Sequence, residues 1–80
     1  MNETEKNDKM NNVEAIRNSL IAAELDAVLI TDEKNQRYAT GFAFTDGAVL
    51  VTRKSAFLFT DSRYIEAASM TVADNITLRL

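Results

Sequence analysis

The side chains best suited to bind something stand at a break in the pattern. Phe57-Leu58-Phe59 is an apolar, aromatic run, and Thr60-Asp61-Ser62-Arg63-Tyr64 follows it. A guanidinium and a phenol side by side can hold a carboxylate or a partner chain, because the planar fork of arginine fits a carboxylate with two parallel hydrogen bonds. The same pair can also serve the fold alone, with Arg63 paired to a nearby carboxylate and Tyr64 packed. Other chemistry is harder to assemble. The chain has no histidine and no cysteine, which removes the commonest general base, the commonest transition-metal ligand, disulfides and thiolate sites together. No acidic cluster has the spacing of a calcium loop. No Gly-rich phosphate loop and no nucleophile with a base is present.

The break at Thr60-Asp61-Ser62 predicts a strand that turns into a helix. Each of the three residues carries a side-chain oxygen able to accept from the orphan N–H groups of a first helical turn. Glu66 lies near the positive end of that helix. No Ser or Thr there has Glu or Gln three residues on, so the strict capping box is missing.

The elements around this junction follow in order. The first ten residues are polar and charged and are expected to fray. Residues 11–80 are expected to form the domain. Val13, Ile16, Leu20 and Ala23 recur at helical spacing with Ile21 beside them, so a helix with one apolar stripe is predicted, capped by Asn12 and ended at Leu25-Asp26. Ala27-Val28-Leu29-Ile30 reads as a strand buried on both faces. Thr31 or Asp32 can cap a short helix or loop from Glu33 to about Tyr38, and Gly41 stops it. Phe42 and Phe44 are read as a plug beneath a loop rather than as an exposed contact surface. Thr45-Asp46-Gly47 marks a turn. Ala48-Val49-Leu50-Val51-Thr52 is a second buried strand, joined to the one from Ala56 by Arg53-Lys54-Ser55 as a β-hairpin with solvated charges. The helix after Asp61 carries Ile65, Ala68 and Val72, with Met70 nearby. Asp74-Asn75 turns the chain into Ile76-Thr77-Leu78-Arg79-Leu80, whose alternation predicts a half-exposed edge strand. The sequence stops in that strand, which reads as a truncation.

Eighty residues allow one domain. A chain of that size buries only roughly 60–65% of its unfolded surface, so its stability is marginal. The net charge of −3 argues against nucleic-acid and anionic-membrane partners. No apolar run approaches the roughly 20 residues of a membrane span, and no secretory core opens the chain, so a cytoplasmic protein is expected. Without proline and with two glycines, turns must come from Asn, Asp, Ser and Lys.

Three stretches taken together resemble one family. Asn35-Gln36-Arg37-Tyr38-Ala39-Thr40-Gly41-Phe42 is similar to an N-x-R-Y-x-T-G-F signature, Gly47-Ala48-Val49-Leu50-Val51-Thr52 to the strand after it, and Phe59-Thr60-Asp61-Ser62-Arg63-Tyr64-Ile65-Glu66-Ala67 to an F-T-D-x-R-Y-x-x-x-A junction. Leu25 to Thr31 also resembles the family's first strand. The family is the creatinase/prolidase N-terminal domain, which precedes the pita-bread catalytic domain of Xaa-Pro aminopeptidases, prolidases and creatinases. The resemblance implies an α/β fold: a three-layer α/β/α domain with a mixed β-sheet, here C-terminally incomplete. It implies that this chain is not itself catalytic. In the family, two Asp, one His and two Glu of the following domain hold two divalent metal ions (Mn, Co or Zn) that activate water. The N-terminal domain joins subunits into a homo-oligomer and walls the mouth of the active site. Carried onto this sequence, Phe42 and Arg63 are expected nearest that mouth, as an apolar wall and an anion contact. Asp61 is expected to cap, Tyr38 and Tyr64 to pack, and Asn35, Arg37 and Gly41 to complete the motif. Gln36 and Ala39 stand at positions that the pattern leaves variable.

Two other readings stay open. One is a free-standing α/β protein-interaction module. The other is the N-terminal domain of a creatinase-type C–N hydrolase.

Overall fold

The computed structural model describes residues 11–80; the polar stretch 1–10 lies outside them. Seven elements follow in order: α1 (Val13–Ala22), β1 (Ala27–Ile30), α2 (Glu33–Thr40), β2 (Ala48–Thr52), β3 (Ala56–Phe59), α3 (Ser62–Thr71) and β4 (Thr77–Arg79). The strands form one mixed sheet in the order β1-β2-β3-β4. β1 and β3 each run antiparallel to β2, and β4 runs parallel to β3. The hairpin between β2 and β3 and the alternating edge strand at β4 are as the sequence predicts.

Both ends of α1 differ from expectation. Asn12 does not cap it through its side chain. Its Nδ2 instead donates to the Tyr38 carbonyl at 2.6 Å, and its N–H donates to the Ala39 carbonyl at 3.0 Å, so it ties the start of α1 to the end of α2. Asn11 Oδ1 accepts the Val13 N–H at 3.2 Å in its place. The helix stops at Ala22, ahead of Leu25-Asp26. Glu24 takes a left-handed φ of 62°, the Leu25 N–H bonds the Leu20 carbonyl at 2.9 Å, and the Glu24 N–H bonds the Ile21 carbonyl at 3.0 Å. That is a Schellman end. Glutamate stands where glycine is usual, so the sequence carries no stop signal there.

The register fixes which side chains share a face. Val28 pairs with Val51, Ile30 with Val49, Val49 with Leu58, Val51 with Ala56, and Leu58 with Leu78. Ile30, Val49, Val51, Ala56 and Leu58 are buried, with Val28 and Leu78 partly so. Val13 and Leu20 of α1, Ala39 of α2 and Ala68 of α3, with Val72 and Ile76 after it, join the same core. The opposite face carries Leu29, Leu50, Phe57 and Phe59. Leu29 is 62% exposed, and Phe57 and Phe59 stack on one another with centroids 6.2 Å apart. β1 is thus buried on one face only, not on both. Its continuous apolar run and the alternation of burial along it are compatible because side-chain direction follows the pleat rather than hydrophobicity.

Arg53 is also more than a solvated charge. Its Nε donates to the Leu25 carbonyl at 2.9 Å, and it lies 3.8 Å from Asp26. It pins the hairpin turn to the segment between α1 and β1.

Candidate functional site

The carboxyl ends of β1 and β3 and the amino end of β2 lie at one edge of the sheet, because Ile30 pairs with Val49 and Ala48 with Phe59. α2, the loop from Gly41 to Gly47 and the start of α3 gather at that edge. The two motif stretches, far apart in sequence, meet there.

α2 begins at Asp32, whose carboxylate accepts the Asn35 N–H at 3.0 Å and the Asn35 amide at 3.1 Å. These bonds hold the Asp32 carboxyl below its ordinary range, the backbone N–H contributing most. The helix runs two residues beyond Tyr38. It has few apolar residues, and its anchor is Gln36, which is 2% exposed. The Gln36 amide donates to the carbonyls of Ile30 at 3.3 Å and Gly47 at 2.8 Å, joining β1, α2 and the loop. Gly41 ends the helix at φ 75°, a conformation that glycine adopts without strain.

Thr40 then folds the chain back. Its hydroxyl meets the Gln36 carbonyl at 2.9 Å and the Phe42 N–H at 3.1 Å. Phe44 is buried, as the plug reading expects, and Phe42 is half-buried above it, with ring centroids 5.8 Å apart. Tyr64 meets both rings edge-on at 6.4 Å, a favourable arrangement of ring quadrupoles. The Tyr64 hydroxyl lies 3.0 Å from Thr45 Oγ1. Asp46 holds a left-handed φ of 58°. At Gly47 a Cβ would lie 2.3 Å from the Phe59 carbonyl oxygen and 2.6 Å from Phe44 Cε2, so no other residue fits without moving backbone.

α3 begins at Asp61, which accepts the Arg63 N–H at 2.9 Å, as its expected capping role requires. The Arg63 guanidinium returns to the same carboxylate through Nε at 3.0 Å and Nη2 at 2.6 Å, reaches Asp46 with Nη2 at 3.2 Å, and lies 5.3 Å from the centre of the Tyr64 ring. The Arg63 hydrogen bonds hold Asp61 below its ordinary range, and Asp61, then Asp46, push Arg63 upward. Arg63 is therefore paired with two carboxylates, and the trio carries one net negative charge. Its side chain is nonetheless 59% exposed, so solvent screens these pairs.

The remaining motif residues face outward. Arg37 is exposed, and Tyr38, expected to pack, is 52% exposed. Tyr38 borders two adjoining cavities of about 400 Å³ and 380 Å³ between α1, α2 and β1, together with Ile16 and Val28. Sequence reasoning passed over Gln36 and Thr40, which lock the corner. A polar residue at the inward spacing of a short helix is the available signal, since a buried amide must find partners. Thr60 is buried too, and its hydroxyl has no hydrogen-bond partner among the described residues.

Among the described residues no three potential metal ligands converge, and no helix is long and apolar enough to cross a membrane. The corner offers an aromatic wall and an exposed ion-pair network of Asp46, Asp61 and Arg63.

Comparison with known proteins places this geometry. The profile of the Creatinase/Prolidase N-terminal domain matches residues 12–79. A Xaa-Pro aminopeptidase from Streptococcus pyogenes is similar at 32% identity and a TM-score of 0.79, covering 85% of this chain and 52% of that one. The N-terminal domain of the cytoplasmic peptidase PepQ from Mycobacterium tuberculosis is similar at 34% identity and a TM-score of 0.78, covering 86% and 54%. The uncharacterized peptidase YqhT of Bacillus subtilis is 37% identical over 60 residues, which is 75% of this chain and 17% of that protein. The chain thus spans about half of those two solved structures and a smaller part of the curated relative. With both motif stretches meeting in one corner of the shared α/β fold, and the profile match running across nearly all the described residues, this chain belongs to the creatinase/prolidase N-terminal domain family.

Proposed function

We propose that this chain is the non-catalytic N-terminal portion of a proline-specific metallopeptidase of the Xaa-Pro aminopeptidase or prolidase type. Its work is to shape access to an active site in the pita-bread domain that follows it, and to join subunits into a homo-oligomer in the cytoplasm. The family match across residues 12–79 carries this reading. The Xaa-Pro aminopeptidase of Streptococcus pyogenes and the cytoplasmic PepQ domain support its peptidase and location parts.

In this reading Phe42 and Arg63 border the mouth of the active site. Phe42 is half-buried and stacked on Phe44, which suits an apolar wall. The described residues offer no donor set for the two divalent ions. Those ions would be held by the catalytic domain, where they would supply an activated water, and no step of that chemistry runs through this chain.

The test is the full-length protein. Hydrolysis of an Xaa-Pro dipeptide that a chelator abolishes and a divalent ion restores is expected, with the 80-residue chain alone inactive. Turnover of creatine in place of the peptide would move the assignment to a C–N hydrolase. Absence of both activities would remove the peptidase reading. Light scattering on the full-length protein tests the oligomer, which a monomer would exclude.

A further inference from the structure

The sequence expects Arg63 to contact an anion, yet its guanidinium already meets Asp61 at 2.6 Å and Asp46 at 3.2 Å. An incoming carboxylate could reach only Nη1, since Nε and Nη2 are taken by Asp61 and Asp46, and it would meet a site with net negative charge. The contact with Asp46 has a consequence of its own. Asp46 is a non-glycine residue with φ 58°, a conformation that persists where the surroundings over-determine it. The loop that contains it is fixed at Thr45 by Tyr64, at Asp46 by Arg63, at Gly47 by Gln36, and at Phe42 by Thr40. Two of those four anchors come from consecutive residues in the first turn of α3. The exposed product of the arrangement is the half-buried Phe42 with Ala43 beside it.

We propose that Arg63 is a positioning residue: through Asp46 it clamps the Phe42–Gly47 loop, so that this corner meets the peptide substrate with a pre-set aromatic ring rather than with a guanidinium. The role rests on the access-shaping function proposed above, but its structural half stands without it. A rigid wall costs no ordering entropy when something docks against it, which a mobile loop would.

The positioning role and the direct anion contact predict opposite behaviour for Asp46. If Arg63 positions the loop, removing either partner loosens the same segment. If Arg63 binds an anion, removing the competing Asp46 frees it and strengthens that binding. The first measurement is backbone ¹⁵N relaxation on the 80-residue chain. In Arg63→Ala and in Asp46→Asn, order parameters at Asp46 and its loop neighbours should fall below the rigid level of about 0.85, with β2 and β3 unchanged. At Asp46 the combined variant should go no further than either alone, because the Arg63–Asp46 contact is the one that both remove. Arg63→Lys should restore part of the order. The second measurement is peptidase kinetics on the full-length protein, with Xaa-Pro peptides that do and do not carry an acidic residue beyond the scissile bond. Arg63→Ala and Asp46→Asn should raise KM together by a similar factor for both peptide types, with kcat nearly constant. An unchanged loop in both single variants would overturn the proposal. So would a KM penalty confined to acidic peptides in Arg63→Ala and reversed in Asp46→Asn. If the full-length protein hydrolyses no Xaa-Pro peptide, the function proposed above fails while the relaxation measurement still decides the clamp.

Discussion

The corner between α2 and α3 and the flank formed by β1 and α1 are built on opposite rules. In the corner nearly every side chain has a partner: Gln36, Thr40, Phe44, Asp61, Arg63 and Tyr64 each make a specific polar or aromatic contact. On the flank, Leu25 before β1, Leu29 in it and Tyr38 beside it are large, apolar or aromatic, and about half or more exposed. Burial is non-directional, so an apolar flank tolerates rearrangement. Hydrogen bonds and ring contacts are directional, so the corner holds one geometry. A surface that must present Phe42 in a fixed place needs the second kind of construction.

The largest test of this difference is Phe44→Ala. Phe44 is 2% exposed and supports Phe42, Tyr64 and the close approach at Gly47. Truncation should cost about 3–5 kcal/mol, which can exceed the stability of a domain this small. The measurement is urea unfolding followed by circular dichroism. A loss below about 1 kcal/mol, as expected for a loosely packed surface ring, would show the corner to be no more rigid than the flank.

Gln36→Leu comes next. The substitution keeps volume but removes the donor to the Ile30 and Gly47 carbonyls, and buried acceptors left without a partner cost about 1–3 kcal/mol. Thr60→Val should act in the opposite direction. The Thr60 hydroxyl is buried without a partner among the described residues, so an isosteric side chain without it should raise stability by about 1 kcal/mol. A destabilisation would mean that the hydroxyl is satisfied in solution, by water for instance.

Acid probes the caps. Asp61 and Asp32 have folded-state pKa values below the ordinary 3.8, so each stabilises the fold fully above that value and loses its contribution as pH falls through the folded value. The unfolding midpoint should therefore fall below about pH 4. Asp61→Asn should flatten that part of the profile, and an unchanged slope would show that the Arg63 pair makes no net contribution.

These contrasts also explain what could be read from sequence. The strand-to-helix junction was legible because Asp61 caps by local hydrogen bonding, which residue type and position alone specify. Gly41 and the turn at Thr45-Asp46-Gly47 were legible for the same reason. The apolar spacing of Val13, Ile16 and Leu20 was enough for α1. What stayed hidden was non-local. Asn12 is an ordinary cap by type, and only the approach of α2 diverts its amide to Tyr38. Gln36 looks like a solvated helix residue until the loop brings the Gly47 carbonyl to it. Arg63 has a carboxylate two residues away in sequence, but Asp46 is seventeen residues off, and no spacing rule predicts that meeting. The face of β1 was misread because a continuous apolar run does not report which side of a sheet is covered.

Leu29 supplies the smallest and most discriminating test. It pairs across to Leu50, which pairs to Phe57, so the three form an apolar row on the open face. If that row contributed like the core, Leu29→Lys would cost several kcal/mol, as burying an unpaired charge does. At 62% exposure the lysine can instead keep its ammonium in water while its stem lies along Leu50. The expected change in the 80-residue chain is within about 0.5 kcal/mol, measured by the same urea transition. Its companion on the covered face, Leu58→Ala, removes a side chain that is fully buried and should cost about 2–5 kcal/mol. Equal losses in the two variants would mean that Leu29 is covered in solution. A near-silent Leu29→Lys beside a severe Leu58→Ala places the stabilising side of the sheet on the face where α1, α2 and α3 bury their apolar residues.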